Sequence, residues 1–260
     1  MTTESFRAAL AAGTPQLGTF TLEFATAGVG ALAARAGADW ILYDLEHTGW
    51  SLDAIRASLA VSRREPIASF VRVAGPQKDL VSTALDAGAE GIMMPWVSSA
   101  EEAREIVSWM KFPPVGVRGS AFGLAHDLYR GGDAAAAQAE ANASTVFLPQ
   151  IETPEAVAAA ADIAAVDGVD VLFVGPLDLS TNLGVPGQWD APELLDALRT
   201  VAEAARSAGK AAGIFSPARP LATAALDMGY TVLSAVPDIG AYLHGLSTEV
   251  TALRSHAAGS

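Results

Sequence analysis

A single α/β domain of the (β/α)8 TIM-barrel class, spanning residues 1–260, is predicted by three features of the sequence. One is a recurring phrase, an Ala-rich helical stretch, a glycine and a short apolar run, seen in ALAARAGADWILYD, STALDAGAEGIMMP, AEAARSAGKAAGIFS and ATAALDMGYTVLSAV, and more loosely in IAAVDGVDVLFVG. Another is that the apolar runs do not alternate with polar residues, as expected of parallel strands buried on both faces. The third is length, since 260 residues suit one barrel. An open, doubly wound sheet is the alternative topology.

Strands are expected near residues 17–23, 39–44, 67–73, 90–95, 145–151, 170–175, 211–216 and 230–236. Gly37, Gly88, Gly168, Gly209 and Gly229 fall where each helix must end in the left-handed region before the next strand. Helix starts keep the register: Ser99 with Glu102 three residues on, Thr153 with Pro154 behind it, and Asp190 ahead of Pro192 and Glu193. The stretch 111–144 breaks the rhythm and is expected to be a functional loop or a small excursion. After the eighth strand, Ala241, Leu243, Leu246, Val250 and Leu253 recur at near-helical spacing, an apolar face that needs a partner.

Hydrophobic residues make up 51% of the chain and charged ones 17%, a balance that excludes disorder and fibrous repeats. Sixteen Lys and Arg against 29 Asp and Glu leave a net charge of −13 with no basic block, so no nucleic-acid or membrane-surface partner is expected. The absence of cysteine removes disulfides, thiolate nucleophiles and cysteine-ligated metals, and fits a cytoplasmic protein. No signal core or membrane-spanning run is evident.

The chemistry of such barrels gathers at the C-terminal ends of the strands. There the sequence places Asp44-Leu45-Glu46-His47, Arg72, Gln150-Ile151-Glu152 and Gly175-Pro176-Leu177-Asp178. Glu152 and Asp178, on consecutive strands, are candidate ligands of a hard divalent ion; each also suits the start of a helix. His47 is a candidate general base, with Asp44 three residues earlier to set its tautomer or basicity; the other three histidines, His126, His244 and His256, lack such a setting. Arg72 offers a fork of donors to a carboxylate or a developing oxyanion, or else an ion pair with Glu46 or Glu152. Gly175-Pro176 opens a helix whose first N–H groups suit an anion. Trp50, Trp96, Phe122 and Trp189 stand in loops that could shape an acceptor pocket. Only Lys78, Lys111 and Lys210 occur, none placed on a strand facing the pocket, so a Schiff-base mechanism has no lysine to use.

Taken in order, Gly18-Thr19-Phe20, Asp44-Leu45-Glu46-His47, Phe70-Val71-Arg72, Met94-Pro95, Pro113-Pro114-Val115-Gly116-Val117-Arg118-Gly119, Gln150-Ile151-Glu152-Thr153 and Gly175-Pro176-Leu177-Asp178-Leu179-Ser180 resemble the HpcH/HpaI aldolases, metal-dependent class II pyruvate aldolases, over nearly the whole chain. The resemblance implies a barrel that assembles as a hexamer, a dimer of trimers, with its last helix exchanged between subunits. It implies His47 as base, Arg72 as stabiliser of oxyanion charge, and Glu152 and Asp178 as ligands of Mg²⁺, Mn²⁺, Co²⁺ or a similar ion. Gln150 and the backbone around Leu177 and Asp178 would hold the 2-oxo acid, and Asp86 would raise the basicity of a histidine across a subunit boundary. The family often has a small residue where Leu177 stands, and its stretch after Arg118-Gly119 differs from Ser120-Ala121-Phe122-Gly123.

The function implied is reversible cleavage of a 4-hydroxy-2-oxo acid to pyruvate or hydroxypyruvate and an aldehyde. Two other readings keep the barrel: an acyl-CoA lyase of the citrate lyase β or malyl-CoA lyase type, and a non-catalytic barrel that binds a 2-oxo acid. The acidic balance and scarce lysines argue against a groove for CoA phosphates.

Overall fold

The computed structural model of the chain describes residues 3–258, so the expected span of 1–260 runs beyond them at both ends. Eight parallel strands close into a barrel in sequence order: β1 (Gln16–Thr21), β2 (Trp40–Asp44), β3 (Ala68–Arg72), β4 (Gly91–Met94), β5 (Val146–Ile151), β6 (Val171–Val174), β7 (Ala211–Ile214) and β8 (Val232–Ser234). β8 pairs with β1 in the register Gln16↔Val232, Leu17↔Leu233 and Gly18↔Ser234, which rules out the open sheet. All eight lie where the apolar runs predict strands.

Twelve α-helices and one 3-10 turn surround or flank the barrel among the described residues: α1 (Thr3–Ala11), α2 (Val29–Arg35), α3 (Leu52–Ser62), α4 (Lys78–Asp86), α5 (Ala100–Met110), α6 (Ala134–Ser144), α7 (Pro154–Ala158), α8 (Ala160–Ala164), α9 (Pro176–Asn182), α10 (Pro192–Ser207), α11 (Arg219–Asp227) and α12 (Asp238–Ala258). The corner glycines Gly37, Gly88, Gly168, Gly209 and Gly229 all have positive φ, between 66° and 109°. Ser99 and Thr153 cap α5 and α7 by accepting from Glu102 N and Ala156 N. Asp190 does not cap α10; that position is Ala191, with Pro192 following it and no side-chain bond.

Strand alternation divides the core in two. Trp40 and Leu42, Ala68 and Phe70, Val146 and Leu148, and Val171 and Phe173 fill the barrel, while Ile41, Tyr43, Val71, Phe147 and Leu172 face the helices. The interior is tight enough to require glycine in β1: a Cβ on Gly18 would lie 2.1 Å from the Trp40 ring.

The end where the strands start is closed by α1. Phe6 is fully buried in the interior cluster, edge-on to Phe70 with ring centroids 5.1 Å apart, and Arg7 reaches Asp170 at 2.7 Å and the Thr145 carbonyl at 3.0 Å. Lys111 is buried here too, donating to the carbonyls of Asn142 (2.7 Å) and Thr145 (3.0 Å), and burial lowers its pKa to about 8. It is therefore far from any rim chemistry, as the lysine placement predicts.

The 111–144 stretch is an excursion that runs from the end of α5 to the start of β5, with the 3-10 turn Ala125–Asp127 and α6 inside it. Both its ends belong to the strand-start side. Phe122 goes with it, packed on Phe112 and His126, so it does not shape a pocket at the other rim. Trp50 and Trp189 pack against the outer core, leaving Trp96, 49% exposed, as the one loop aromatic of the four that stands open beside the strand ends.

α12 begins with Asp238, whose carboxylate accepts from the backbone N–H groups of Leu22, Glu23 and Phe24 at 2.8–3.0 Å. Beyond that anchor Tyr242, Leu243, Leu246 and Leu253 are half or more exposed, so the apolar face is not covered by its own barrel.

Phe6→Ala should unplug the barrel floor and lower stability by about 3 kcal/mol, the lower end for deleting a buried Phe side chain. Urea unfolding at fixed protein concentration measures it; a change below about 1 kcal/mol would mean that α1 is not part of the core.

Candidate active site

The rows of side chains that point into the barrel continue past its apolar layers and become polar at the strand ends. By period-two alternation Asp44 follows Trp40 and Leu42, Arg72 follows Ala68 and Phe70, and Gln150 follows Val146 and Leu148. Asp44 and Arg72 are register partners across β2 and β3. Arg72 Nε donates to Asp44 Oδ1 at 2.9 Å and Nη2 to Oδ2 at 2.7 Å, a two-point grip on a carboxylate with no exposed surface. Burial pulls the Arg72 pKa down, but the hydrogen bonds and charge of Asp44 more than reverse this, so the guanidinium stays protonated. Its remaining nitrogen, Nη1, lies 3.2 Å from Glu46 Oε2 and 3.5 Å from Gln150 Oε1.

This geometry corrects the expected role of Asp44. Its oxygens are committed to Arg72 and to the Glu46 N–H (2.9 Å), and the carboxylate beside His47 is Glu46 instead, with Oε2 3.6 Å from Nε2. The His47 side chain is 60% exposed, open to a ligand arriving from solvent. Burial raises the Glu46 carboxyl above its ordinary pKa, with Arg72 and His47 drawing it back. Glu46 was legible as a rim residue only from its place just past the end of β2; the chain bends there, so strand alternation does not set its direction.

Glu152 follows β5 and is almost fully buried. Oε1 accepts from Gln150 Nε2 at 3.0 Å and Oε2 from the Trp96 N–H at 3.1 Å. Trp96 adopts a positive φ of 59° as it presents that N–H, a backbone conformation that bulky side chains seldom take and that no sequence pattern announces. Gly175 is required by close approach: a Cβ there would lie 2.1 Å from Glu152 Oε1. Desolvation raises the Glu152 pKa to about 7; the Trp96 N–H lowers it, and the charges of Asp178 and Glu46 raise it further.

Asp178 sits in the first turn of α9, which starts at Pro176 with Gly175 as its cap residue. Its carboxylate is partly exposed and near enough to Glu152 to raise that group's pKa. Pro176 has no N–H, and the Leu179 N–H closes on the Gly175 carbonyl at 3.0 Å, which leaves the Leu177 and Asp178 N–H groups at the helix start. The Leu177 side chain stands 59% exposed.

Asp44, Glu46, His47, Arg72, Gln150, Glu152, Gly175 and Asp178 thus share one rim. Asp86 does not join them within the chain. It ends α4 on the strand-start side, where Arg118 Nη2 donates to its Oδ1 at 2.6 Å and His126 Nδ1 lies 4.0 Å away.

The donor set fits a divalent cation. Burial and the nearby Asp178 charge both raise the energy of an ionised Glu152, and neutralisation by a cation would remove that cost. Among the described residues no cluster of three or more His, Asp or Glu is gathered in ligating geometry.

In metal-free protein the Glu152 shift has a definite consequence. The unfolded carboxyl ionises near 4.5 and the folded one near 7, so this group's contribution to stability is full below pH 4.5 and is lost as pH climbs to 7. The loss amounts to about 3 kcal/mol at most. Urea unfolding in chelator should show that slope relative to Glu152→Gln; a flat wild-type-minus-variant difference between pH 4.5 and 7 would refute the shift.

Comparison with known proteins identifies the family. Residues 19–244 match the family described as HpcH/HpaI aldolase/citrate lyase. A hydroxypyruvate/pyruvate aldolase of Roseovarius nubinhibens is 38% identical over 214 residues, covering 82% of each chain. A 4-hydroxy-2-oxovalerate aldolase of Novosphingobium aromaticivorans is 39% identical over 226 residues, 86% of this chain and 85% of the relative. The crystal structure of an HpcH/HpaI aldolase from Desulfitobacterium hafniense superposes with a TM-score of 0.89 at 30% identity, covering 95% of this chain and 96% of that one. These relatives are enzymes, which sets aside the reading as a non-catalytic barrel. With its closed barrel and a polar rim built on the strand ends, the chain belongs to the HpcH/HpaI aldolase/citrate lyase family and is a carbon–carbon lyase of the aldolase kind.

Proposed function

We propose that the protein catalyses reversible aldol cleavage of a 4-hydroxy-2-oxo acid to pyruvate or hydroxypyruvate and an aldehyde. The observation that carries this reading is the buried Glu152 carboxylate, set near Asp178 and linked through Gln150 to the free end of Arg72. The relatives named for hydroxypyruvate, pyruvate and 4-hydroxy-2-oxovalerate support the choice of substrate class.

Glu152 and Asp178 would hold Mg²⁺, Mn²⁺, Co²⁺ or a similar ion. When bound, such an ion supplies Lewis acidity that polarises the keto group. Gln150 and the first-turn backbone at Leu177 and Asp178 hold the 2-oxo acid, and Gly175-Pro176 permits its close approach. His47, exposed and flanked by Glu46, takes the proton of the 4-hydroxyl as the C3–C4 bond breaks. The electron pair of that bond passes to the 2-oxo acid fragment, giving an enolate and a free aldehyde; a proton from solvent then adds at C3, and His47, open to solvent, gives up the proton it took. Arg72 Nη1 donates to the keto oxygen as charge grows there, its direction held by the grip on Asp44. Leu177 and Trp96, both exposed at this rim, narrow the acceptor side.

Assembly completes the site. The uncovered apolar face of α12 supports its exchange between subunits in a hexamer, a dimer of trimers, in which Asp86 of one protomer serves His47 of its partner. Among the described residues no helix is long and apolar enough to cross a membrane, and a cytoplasmic, cysteine-free protein fits this reading.

Activity against a panel of 4-hydroxy-2-oxo acids, followed by release of pyruvate or hydroxypyruvate, should vanish in chelator and return with added divalent ion. Full activity with no metal present would reject the mechanism, and activity on malyl-CoA alone would favour the acyl-CoA lyase reading. In the same assay Arg72→Ala should lower kcat by about 10² to 10³, and Arg72→Lys should restore it only in part, because a point charge does not reproduce the fork. A folded Arg72→Ala protein with unchanged kcat and raised KM would instead make Arg72 an anchor of the ground state.

Light scattering at micromolar concentration should return an oligomer, and truncation before Tyr242 should dissociate it. A monomeric full-length protein would remove both the exchange of α12 and the cross-subunit part of Asp86.

A further inference from the structure

Buried polar atoms without a hydrogen-bond partner are concentrated in one place. Of nine such side-chain atoms among the described residues, five belong to Arg63, Arg118, His126 and Asp127. These four residues line a single cavity of about 130 Å³ on the strand-start side, between the end of α3, the start of β4 and the 111–144 excursion. It lies away from the rim that carries Glu152.

The wall is built, and two of its side chains are buried. The side chains of Arg118 and His126 are only 3% and 9% exposed. Arg118 is fixed by Asp86 and by stacking on Phe112, 4.6 Å from its ring centroid. Arg63 is fixed by Glu90 Oε1 at 2.7 Å and the His126 carbonyl at 3.0 Å. Phe122 packs on the His126 ring at 5.8 Å, and Asp127 Oδ2 ties the loop by accepting from Gly123 N and Gly131 N. These contacts use the outer nitrogens of each guanidinium and one oxygen of Asp127. Left over are Arg63 Nε, Arg118 Nε, both His126 ring nitrogens and Asp127 Oδ1. The backbone of Asp86 faces the imidazole, and that of Tyr129 the Asp127 carboxylate, without closing a hydrogen bond of ordinary geometry.

The unused atoms define what fits. Both guanidinium Nε–H groups are permanent donors, a histidine ring supplies at least one more, and Asp127 Oδ1 asks for a donor in return. The volume is far above the roughly 10–15 Å³ that one water needs. We propose that this cavity binds a small oxyanion that also carries a hydroxyl, of the size of hydrogen phosphate or a three-carbon 2-hydroxy acid. Its oxygens accept from Arg63, Arg118 and His126, and its O–H donates to Asp127. The loop that closes the cavity includes Ser120-Ala121-Phe122-Gly123, where the chain departs from the pattern of the family it resembles, and the cavity stands apart from the rim of its own chain.

Calorimetric titration of the intact, metal-loaded protein with inorganic phosphate, and separately with lactate, tests the proposal, with chloride keeping ionic strength constant. One saturable site is expected for at least one of them; phosphate alone or lactate alone then identifies the source. Ala141→Leu fills the cavity from α6, and His126→Phe removes a donor; each should weaken binding roughly ten- to a hundredfold, the range for a lost hydrogen bond to a charged group. Arg72→Lys, at the other end of the barrel, should leave it unchanged. Binding lost in Arg72→Lys and kept in the cavity variants would place the ion at the rim and overturn the proposal. Absence of saturable heat with either probe would overturn it as well, the unused atoms then being met by water. Should Ala141→Leu fail to fold, as judged by circular dichroism, His126→Phe decides the matter alone.

Discussion

Parallel pairing of β2 and β3 sets Asp44 opposite Arg72, and on that register the rest of the rim depends. A carboxylate with no exposed surface is tolerable only because a guanidinium closes on both of its oxygens. Such a pair is a poor source of net stability, since the cost of desolvating two charges offsets most of their attraction. What it provides is direction. With Nε and Nη2 held by Asp44, Nη1 must point toward Glu46 and Gln150, and Gln150 in turn donates to Glu152. One ion pair thus orients a chain of groups across β2, β3 and β5.

The barrel separates this chemistry from a second set of charges. Period-two alternation delivers Asp44, Arg72 and Gln150 to the strand ends, while Arg7, Lys111 and Asp170 gather at the floor. Between the two ends lies a packed layer of Phe20, Trp40, Phe70 and Phe173, so neither set screens the other through solvent. The floor charges hold α1 and the start of β5 in place, and their burial is why Lys111 is shifted without taking part in rim chemistry.

Net charge shows how little a global sum says about a site. The chain carries −13, yet its rim sets one cation, Arg72, among Asp44, Glu46, Glu152 and Asp178. Burial raises the Glu152 pKa, and that local excess of carboxylate raises it further.

Strand positions, corner glycines and the grouping of His47, Arg72, Gln150, Glu152 and Asp178 were readable from the linear order of residues, because βα units repeat and strand ends converge on one rim by topology alone. Other features were decided by packing across the sequence. Which carboxylate faces His47 depended on Asp44 being drawn to Arg72, a residue 28 positions away. The left-handed turn at Trp96 follows from a bond to Glu152, 56 positions on, and the need for glycine at 175 from the same carboxylate. His126, featureless in the sequence, acquires its setting from Arg63, Asp86 and Arg118, which meet only because the 111–144 excursion folds back against α4 on the strand-start side. Local periodicity determines which face a side chain takes; only the closed tertiary structure determines which distant partner it meets there.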